Sequence, residues 1–292
     1  MQRVLIGLAI LTLLSCKHGS TNSGTEIITV SIAPFKYFTR EIAGDDFKVN
    51  VMVPSGANPH IYEPYPEQVN QLRKSVAYIS NGFLGFEMAW LDRFYQINKD
   101  MLKLSLGDEI ESIASPHEHE HEGFHSETAD PHYWVSPKCA MIIASSIKEL
   151  LCNLNPDETE KYEANFYVLV MKIGEADSMA QSFFSEFRGR SFMIFHPNLA
   201  YLARDYGLME MSVEYEGKEP PPSRMKELID FARREKLNTI FIQKEYDIRN
   251  AKTIADEIGA DIVVIDPLSE EWFESTMDII TALHISLINS QK

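Results

Sequence analysis

The sequence has little positive charge: its 292 residues include 27 Lys and Arg against 43 Asp and Glu, which gives a formal net charge of −16. A chain this acidic repels nucleic acid and anionic membrane surfaces, so we expect no nucleic-acid partner. The same charge favours the approach of cations. The sequence also lacks an ATP-binding motif and a short-period internal repeat.

Cysteine is scarce, with three in the chain. Cys139 and Cys152 flank the apolar run AMIIASSIKELL, which has a helical pattern. In a helix they would lie about 20 Å apart, beyond the reach of a disulfide. We therefore predict two free, buried thiols.

The third cysteine follows an N-terminal apolar run, MQRVLIGLAILTLLS, that is too short to span a bilayer and remain there. Residues 1–15 have the pattern of an export signal, although an uncleaved N-terminal anchor is the alternative. The run ending at Cys16 is similar to a bacterial lipobox, so we predict a lipidated Cys16 and a flexible tether over residues 16–25. This places the protein in the periplasm or at the cell surface, anchored to a bacterial membrane.

Length and a hydrophobic content of 45% favour about two globular domains. Strand patterns alternate with helix patterns in both halves, which indicates an α/β fold with one parallel sheet in each. The longest helical pattern begins at Pro156 and predicts a rigid linker helix over residues 156–188. The predicted N-terminal α/β lobe is 26–155 and the C-terminal α/β lobe is 189–292.

Five of the nine histidines lie between Pro116 and Pro137. Most of them stand among glutamates in a loop, residues 116–129, where alternating His and Glu offer many weak metal donors without fixed geometry. The loop predicts auxiliary metal capture, with a solvated charged face as the alternative. Its histidines are His117, His119, His121 and His125.

The fifth histidine, His132, stands in the stiff run DPHYWVSP, which is typical of a built site. Ligands of open parallel sheets bind beyond the carboxyl ends of the strands. His60, His196 and Asp266 each follow a predicted strand, and a cleft between two lobes would gather them with His132. Three imidazoles and one carboxylate suit tetrahedral Zn²⁺, and a set that takes every position differs from a catalytic zinc site, which keeps one open.

Each of these residues also has a structural alternative. A single histidine after a strand can be a hydrogen-bonded loop residue, and Asp266 can be a helix N-cap. In that case water or Glu63 would take the fourth position.

Five runs, in order, carry a resemblance to a known family. They are VPSGANPHIYEPYPEQ, the spacing NGxxxFExxWLDR at Asn81 to Arg93, DPHYWVSP, FHPNLAYLARDYGL and AKTIADEIGADIVVIDPL. The chain resembles the metal-specific solute-binding proteins of ABC transporters (cluster A-I, TroA/ZnuA-like), and within them the zinc-uptake branch. The resemblance extends from about residue 27 to the C-terminus.

The resemblance implies two lobes joined by a long helix, with Zn²⁺ between them as cargo on His60, His132, His196 and Asp266. It also implies a non-enzymatic protein that delivers the metal to the membrane subunit of an ABC permease, and we expect a monomer. Manganese branches tend to have a carboxylate at the third ligand position, so His196 favours zinc. Two departures are Gln243, where a glutamate is usual, and Asn198 with Pro197, where an acidic residue is common after the histidine.

Three rival functions stay open at this point. A protein of the same fold that binds Mn²⁺ or Fe²⁺ would differ in its metal preference. A zinc hydrolase would need an open coordination position and a general base. An adhesin would be compatible with a surface lipoprotein.

Overall fold

The computed structural model describes residues 25–114, 129–214 and 220–291. Two four-stranded parallel sheets form the framework, with strand orders β2-β1-β3-β4 and β6-β5-β7-β8. The strands are β1 (Glu26–Ile32), β2 (Phe47–Val53), β3 (Ser75–Ser80), β4 (Leu102–Ser105), β5 (Ser191–Ile194), β6 (Met209–Ser212), β7 (Thr239–Gln243) and β8 (Asp261–Ile265). This confirms the predicted α/β fold with one parallel sheet in each half.

Nine α-helices alternate with these strands in the described part of the chain. They are α1 (Ala33–Ala43), α2 (Pro66–Leu72), α3 (Gly85–Ile97), α4 (Pro137–Leu154), α5 (Thr159–Phe184), α6 (Ala200–Tyr206), α7 (Pro222–Glu235), α8 (Arg249–Ile258) and α9 (Trp272–Asn289). Proline stands in the first turn of α1, α2, α4 and α7, where its missing N–H has no helical partner in any case.

The long helix α5 joins the two halves. Single 3-10 turns, Pro156–Glu158 and Ser185–Phe187, extend it at both ends. Its buried side chains recur at three- and four-residue spacing, for example Leu169, Ile173 and Ala176, which is the pattern of a helix with one face in the core. That face packs against α1 and α4 of the first half and α9 of the second.

One large hydrophobic core continues from the first sheet across α5 to the second, and includes Phe35, Tyr162 and Phe241. A smaller core lies between the second sheet and α7 and α8. Two buried tryptophans also join the halves: Trp134 Nε1 donates to the carbonyl of Pro267 at 2.8 Å, and Trp272 Nε1 donates to the carbonyl of Trp134 at 2.7 Å. The shared core and these bonds fix the position of one lobe on the other.

Both cysteines within the described residues are free, as predicted; Cys139 is buried and Cys152 half-buried. The signal segment, Cys16 and the four loop histidines lie outside the described residues. Within the described ranges, no helix is both long and apolar enough to cross a membrane. The exact domain boundaries stay a prediction.

Candidate metal site

Three of the predicted ligands converge, two from the first half of the chain and one from the second. His60 Nε2 lies 3.2 Å from His132 Nε2 and 3.1 Å from His196 Nε2. The ligand atoms of all three lie within 4.8 Å of one another. Zinc with nitrogen ligands at about 2.0–2.1 Å in a tetrahedron requires nitrogens roughly 3.3 Å apart, so the imidazoles already stand near the spacing that one ion needs.

His60 lies in the loop that follows β2, and this loop rests on the start of α3. The backbone N–H of His60 donates to Asn58 Oδ1 at 2.9 Å, and the N–H of Phe86 donates to the carbonyl of Pro59 at 3.4 Å. A Cβ on Gly85 would lie 2.5 Å from the His60 carbonyl oxygen. The absence of a side chain at Gly85 therefore allows the His60 loop its close approach to α3.

His132 is oriented by Asp130. Asp130 Oδ1 accepts hydrogen bonds from the ring Nδ1 and the backbone N–H of His132, both at 2.8 Å. The intervening residue is anchored too, because Asn81 Nδ2 donates to the carbonyl of Pro131 at 2.9 Å. Asn81 is in turn fixed by the buried carboxylate of Glu87, which accepts its backbone N–H at 2.8 Å. A chain of buried hydrogen bonds thus leads from α3 to this predicted ligand.

The charge state of Asp130 follows from this arrangement. Burial alone raises the pKa of a carboxyl group, but the hydrogen bonds from His132 and the positive charges that His132 and His196 carry when protonated outweigh it and hold the pKa of Asp130 below its usual range. Asp130 is therefore a carboxylate. When His132 is neutral and donates its Nδ1–H to Asp130, its Nε2 lone pair is left for a metal.

His196 lies two residues beyond the end of β5 and has a similar support. Its Nδ1 is hydrogen-bonded to Glu214 Oε2, and its carbonyl accepts from Gln243 Nε2 at 2.5 Å. The ring stacks on Tyr246, with centroids 5.1 Å apart and planes inclined by 23°. Tyr246 and Asn58, which accepts the backbone N–H of His60, both border the three-histidine pocket.

The structure does not bring the other predicted ligands into this group. Asp266 Oδ2 accepts from Lys244 Nζ at 3.0 Å, and its side chain borders a different surface pocket beside α9. Asp266 Oδ1 is buried without a hydrogen-bond partner among the described residues. Glu63 is exposed and is absent from the group of converging ligand atoms. Assignment of either residue as a metal ligand stays a prediction.

Another carboxylate does border the three-histidine pocket. Glu245 lies in its wall together with Tyr246 and Leu268. Burial raises the pKa of Glu245, and the neighbouring charge of Asp266 adds to this effect. Its Oε1 is buried and has no hydrogen-bond partner within the described residues.

Sequence reasoning did not identify Asp130, Glu214 or Glu245. Asp130 had a readable signal, since it stands two residues before His132 in the same short run. Glu214 lies 18 residues after His196, and no local pattern connects them. Asn198 and Pro197 replace the acidic residue that is common after the histidine, and the carboxyl group that contacts His196 comes from Glu214, just after β6.

The chain matches the family model described as "Zinc-uptake complex component A periplasmic" over residues 28–283. A relative, the zinc-binding lipoprotein AdcA of Streptococcus pneumoniae, is 28% identical over 284 residues, which cover 94% of this chain and 56% of AdcA. The chain thus spans about half the length of the AdcA proteins it matches. A putative metal-binding protein of Chlamydia trachomatis is 26% identical over 270 residues, which cover 92% of this chain and 94% of that protein.

Solved structures show the same architecture. A crystal structure of ZnuA has a TM-score of 0.82 and 32% identity, and the match covers 90% of this chain and 100% of that one. The periplasmic zinc-binding protein TroA from Treponema pallidum has a TM-score of 0.78 at 18% identity, with 90% and 99% covered. At that identity the similarity to TroA supports the fold alone.

Proposed function

The chain belongs to the ZnuA family of periplasmic zinc-uptake components, and on this premise we propose that it captures Zn²⁺ outside the cytoplasmic membrane and delivers it to an ABC-type permease. Members of this family are metal-binding components of transport systems, so the chain is not an enzyme. The metal is the cargo, and the protein holds it without changing it chemically.

The convergence of His60, His132 and His196 carries this proposal. His132 and His196 are each 5% exposed, and their Nε2 atoms meet that of half-buried His60 at the separations given above. Carboxylates behind His132 and His196 orient the rings and raise their basicity as ligands. A preorganised set of this kind binds tightly, because little conformational freedom is lost when the ion arrives.

Donor chemistry supports zinc as the cargo rather than manganese or iron. Imidazole nitrogen suits Zn²⁺, whereas Mn²⁺ prefers carboxylate, carbonyl and water oxygens and stands lowest in the affinity order of divalent first-row metals. The ligands also have to be unprotonated, so affinity should fall as the pH is lowered.

The proposed lipid anchor is supported by the N-terminal sequence and by a named relative. AdcA of Streptococcus pneumoniae is described as a lipoprotein, which supports lipidation at Cys16 after removal of residues 1–15. The lipid would tether the protein near the permease. The loop histidines His117, His119, His121 and His125 would raise the local zinc concentration with weaker sites.

The test is a Zn²⁺ titration of the exported protein against a competing chelator, with Mn²⁺ and Fe²⁺ as competitors. Two variants accompany it: the triple change His60→Ala, His132→Ala and His196→Ala, and a chain lacking residues 117–125. We expect one tight zinc site that disappears with the triple change and survives the loop deletion.

Two results would overturn the proposal. Retention of tight zinc by the triple variant would show that the converging histidines are not the binding site. Preferential binding of Mn²⁺ over Zn²⁺ by the unmodified protein would leave the transport class intact but replace the cargo.

A further inference from the structure

Helix α6 of the second half is docked on the run DPHYWVSP, residues 130–137, which carries one of the predicted ligands. The hydroxyl of Ser136 donates to the carboxylate of Asp205 on α6. From the same helix, Arg204 Nη1 donates to the carbonyl of Glu111 at 2.7 Å. Two separate segments of the first half therefore contact one helix of the second.

Between those two segments, the hydroxyl of Tyr201 completes a backbone pair. The N–H of Asp130 donates directly to the carbonyl of Ile113 at 2.8 Å, beside an antiparallel bridge that joins Ala114 and Ala129. Opposite residues of a hydrogen-bonded antiparallel pair exchange two such bonds. Here the second bond is relayed, because the N–H of Ile113 donates to the Tyr201 hydroxyl at 3.2 Å and this hydroxyl donates to the carbonyl of Asp130 at 2.7 Å. A side chain of the second half therefore joins two backbone segments of the first.

The Tyr201 hydroxyl is suited to this relay. Tyr201 is 0% exposed, and burial raises its pKa to about 12, so it keeps the proton that it donates. Because its carbonyl and its N–H are both hydrogen-bonded, Asp130 presents its carboxylate from a fixed backbone. The next carbonyl, that of Pro131, is held from the first half by Asn81 Nδ2 at 2.9 Å. The two carbonyls that precede His132 are thus held by side chains from different halves of the chain.

We propose that Tyr201 is a positioning residue of the metal site, because its hydroxyl fixes the backbone of Asp130 and Asp130 orients the ring of His132. The inference rests on the proposed function, since it concerns the same zinc cargo. Tyr201 also stands in the helix that follows His196 in the chain. One helix is thus joined to one ligand through the backbone and orients another through Asp130. Movement of α6 away from the first half would break the Tyr201 bonds and loosen both ligands together.

The first experiment compares Tyr201→Phe with the matched change Tyr206→Phe in the full exported chain. Tyr206 lies on the same helix, is 3% exposed, and donates its hydroxyl to Asp177 Oδ1 of α5 at 2.7 Å. Each variant keeps its ring and loses one hydrogen-bonded hydroxyl, so both should lower the urea midpoint of the metal-free protein. We expect zinc affinity, measured by chelator competition, to fall about tenfold in Tyr201→Phe and to stay unchanged in Tyr206→Phe. A loss of affinity in the first variant alone separates positioning of the ligand from general destabilisation.

A double-mutant cycle with Asp130→Ala tests the path of the effect. If Tyr201 acts through Asp130, Tyr201→Phe should weaken zinc binding little further once residue 130 is changed, whereas independent effects would multiply. Proton–nitrogen correlation spectra of the imidazoles in the metal-free proteins give a second readout. With neutral histidines, the Nδ1–H form of His132 should be less populated in Tyr201→Phe and unchanged in Tyr206→Phe.

Unchanged zinc affinity in Tyr201→Phe would overturn the inference, and so would equal losses in the two tyrosine variants or losses that multiply in the cycle. In each of these cases, tight zinc binding that disappears with the triple histidine change would still support the proposed function. Retention of tight zinc by that triple variant would instead remove the function itself, so the two failures are distinguishable.

Discussion

Asp130 Oδ1 accepts both the ring Nδ1–H and the backbone N–H of His132, each at 2.8 Å. One oxygen thus fixes both the backbone turn and the ring orientation of a predicted metal ligand. Asp130 is 2% exposed, so water cannot readily replace it.

Removal of this support should weaken the metal site. We expect Asp130→Ala to lower zinc affinity by about 10- to 100-fold, because the ring of His132 loses both its orientation and the acceptor that sets its tautomer. Asp130→Asn keeps the shape and one acceptor oxygen, so its loss should be smaller. Chelator competition measures both variants. An affinity of Asp130→Ala equal to that of the unmodified protein would show that packing alone orients the ring.

A glycine next to His60 offers an independent test of preorganisation. A Cβ at Gly85 would lie 2.5 Å from the His60 carbonyl oxygen and 3.3 Å from its carbonyl carbon. Backbone cannot yield as a flexible side chain can, so Gly85→Ala should displace the His60 loop. We expect zinc affinity to fall roughly tenfold, measured by the same competition assay.

Gly174, within α5, provides the matched control, since an added Cβ there meets nothing within 4 Å. Gly174→Ala should leave zinc affinity unchanged and stabilise the protein by about 0.5–1 kcal/mol, because alanine loses less backbone freedom than glycine in a helix. Equal effects of the two changes on affinity would contradict the steric argument.

Most of the framework was predictable from local patterns. Alternation of strand and helix patterns predicted both parallel sheets, and the run AMIIASSIKELL, for which a helix was predicted, lies within α4 (Pro137–Leu154). The three histidines could be placed because parallel strands point their carboxyl ends to one edge of a sheet. That rule locates a residue near the cleft, but it does not determine which way the side chain turns.

The same rule did not bring Asp266 into the group of ligands. Asp266 follows β8 as predicted, but Lys244, which follows the neighbouring strand β7, attracts its carboxylate. Glu214 and Glu245 were missed for the complementary reason. Both residues lie near the cleft only because the tertiary fold brings them there, and no spacing along the sequence predicts that position.

A buried carboxylate on α3 should be important for stability. Glu87 is 0% exposed and accepts the backbone N–H of Asn81 at 2.8 Å, that of Gly82 at 2.7 Å, and the hydroxyl of Ser31. Glu87→Ala would leave these donors buried without an acceptor. We expect a loss of unfolding free energy on the order of 3 kcal/mol, measured by urea denaturation.

The neighbouring Met88 supplies the control, because its side chain is 71% exposed on the same helix. Met88→Ala should change the unfolding free energy by no more than about 0.5 kcal/mol. Since the acceptor at Glu87 also holds Asn81, and Asn81 holds the carbonyl of Pro131, zinc affinity should fall with Glu87→Ala and not with Met88→Ala. A comparable loss of zinc affinity in both variants would contradict a specific role of the Glu87 carboxyl group.

Glu210 should make stability depend on pH. Burial raises its pKa to about 8, and the charge of Asp130 adds to this; its Oε2 accepts the N–H of Leu199 at 2.6 Å. Between its ordinary value of 4.5 and about 8, native Glu210 holds a proton that the unfolded chain releases. The unfolding free energy should therefore fall as pH rises through this window, by up to about 1.4 kcal/mol per pH unit. The measurement is urea denaturation in the presence of a chelator between pH 5 and 8. Glu210→Gln should flatten the slope of unfolding free energy against pH, whereas the change Glu227→Gln at an exposed position should not. Parallel profiles for Glu210→Gln and the unmodified protein would show that Glu210 is ionised in the native state.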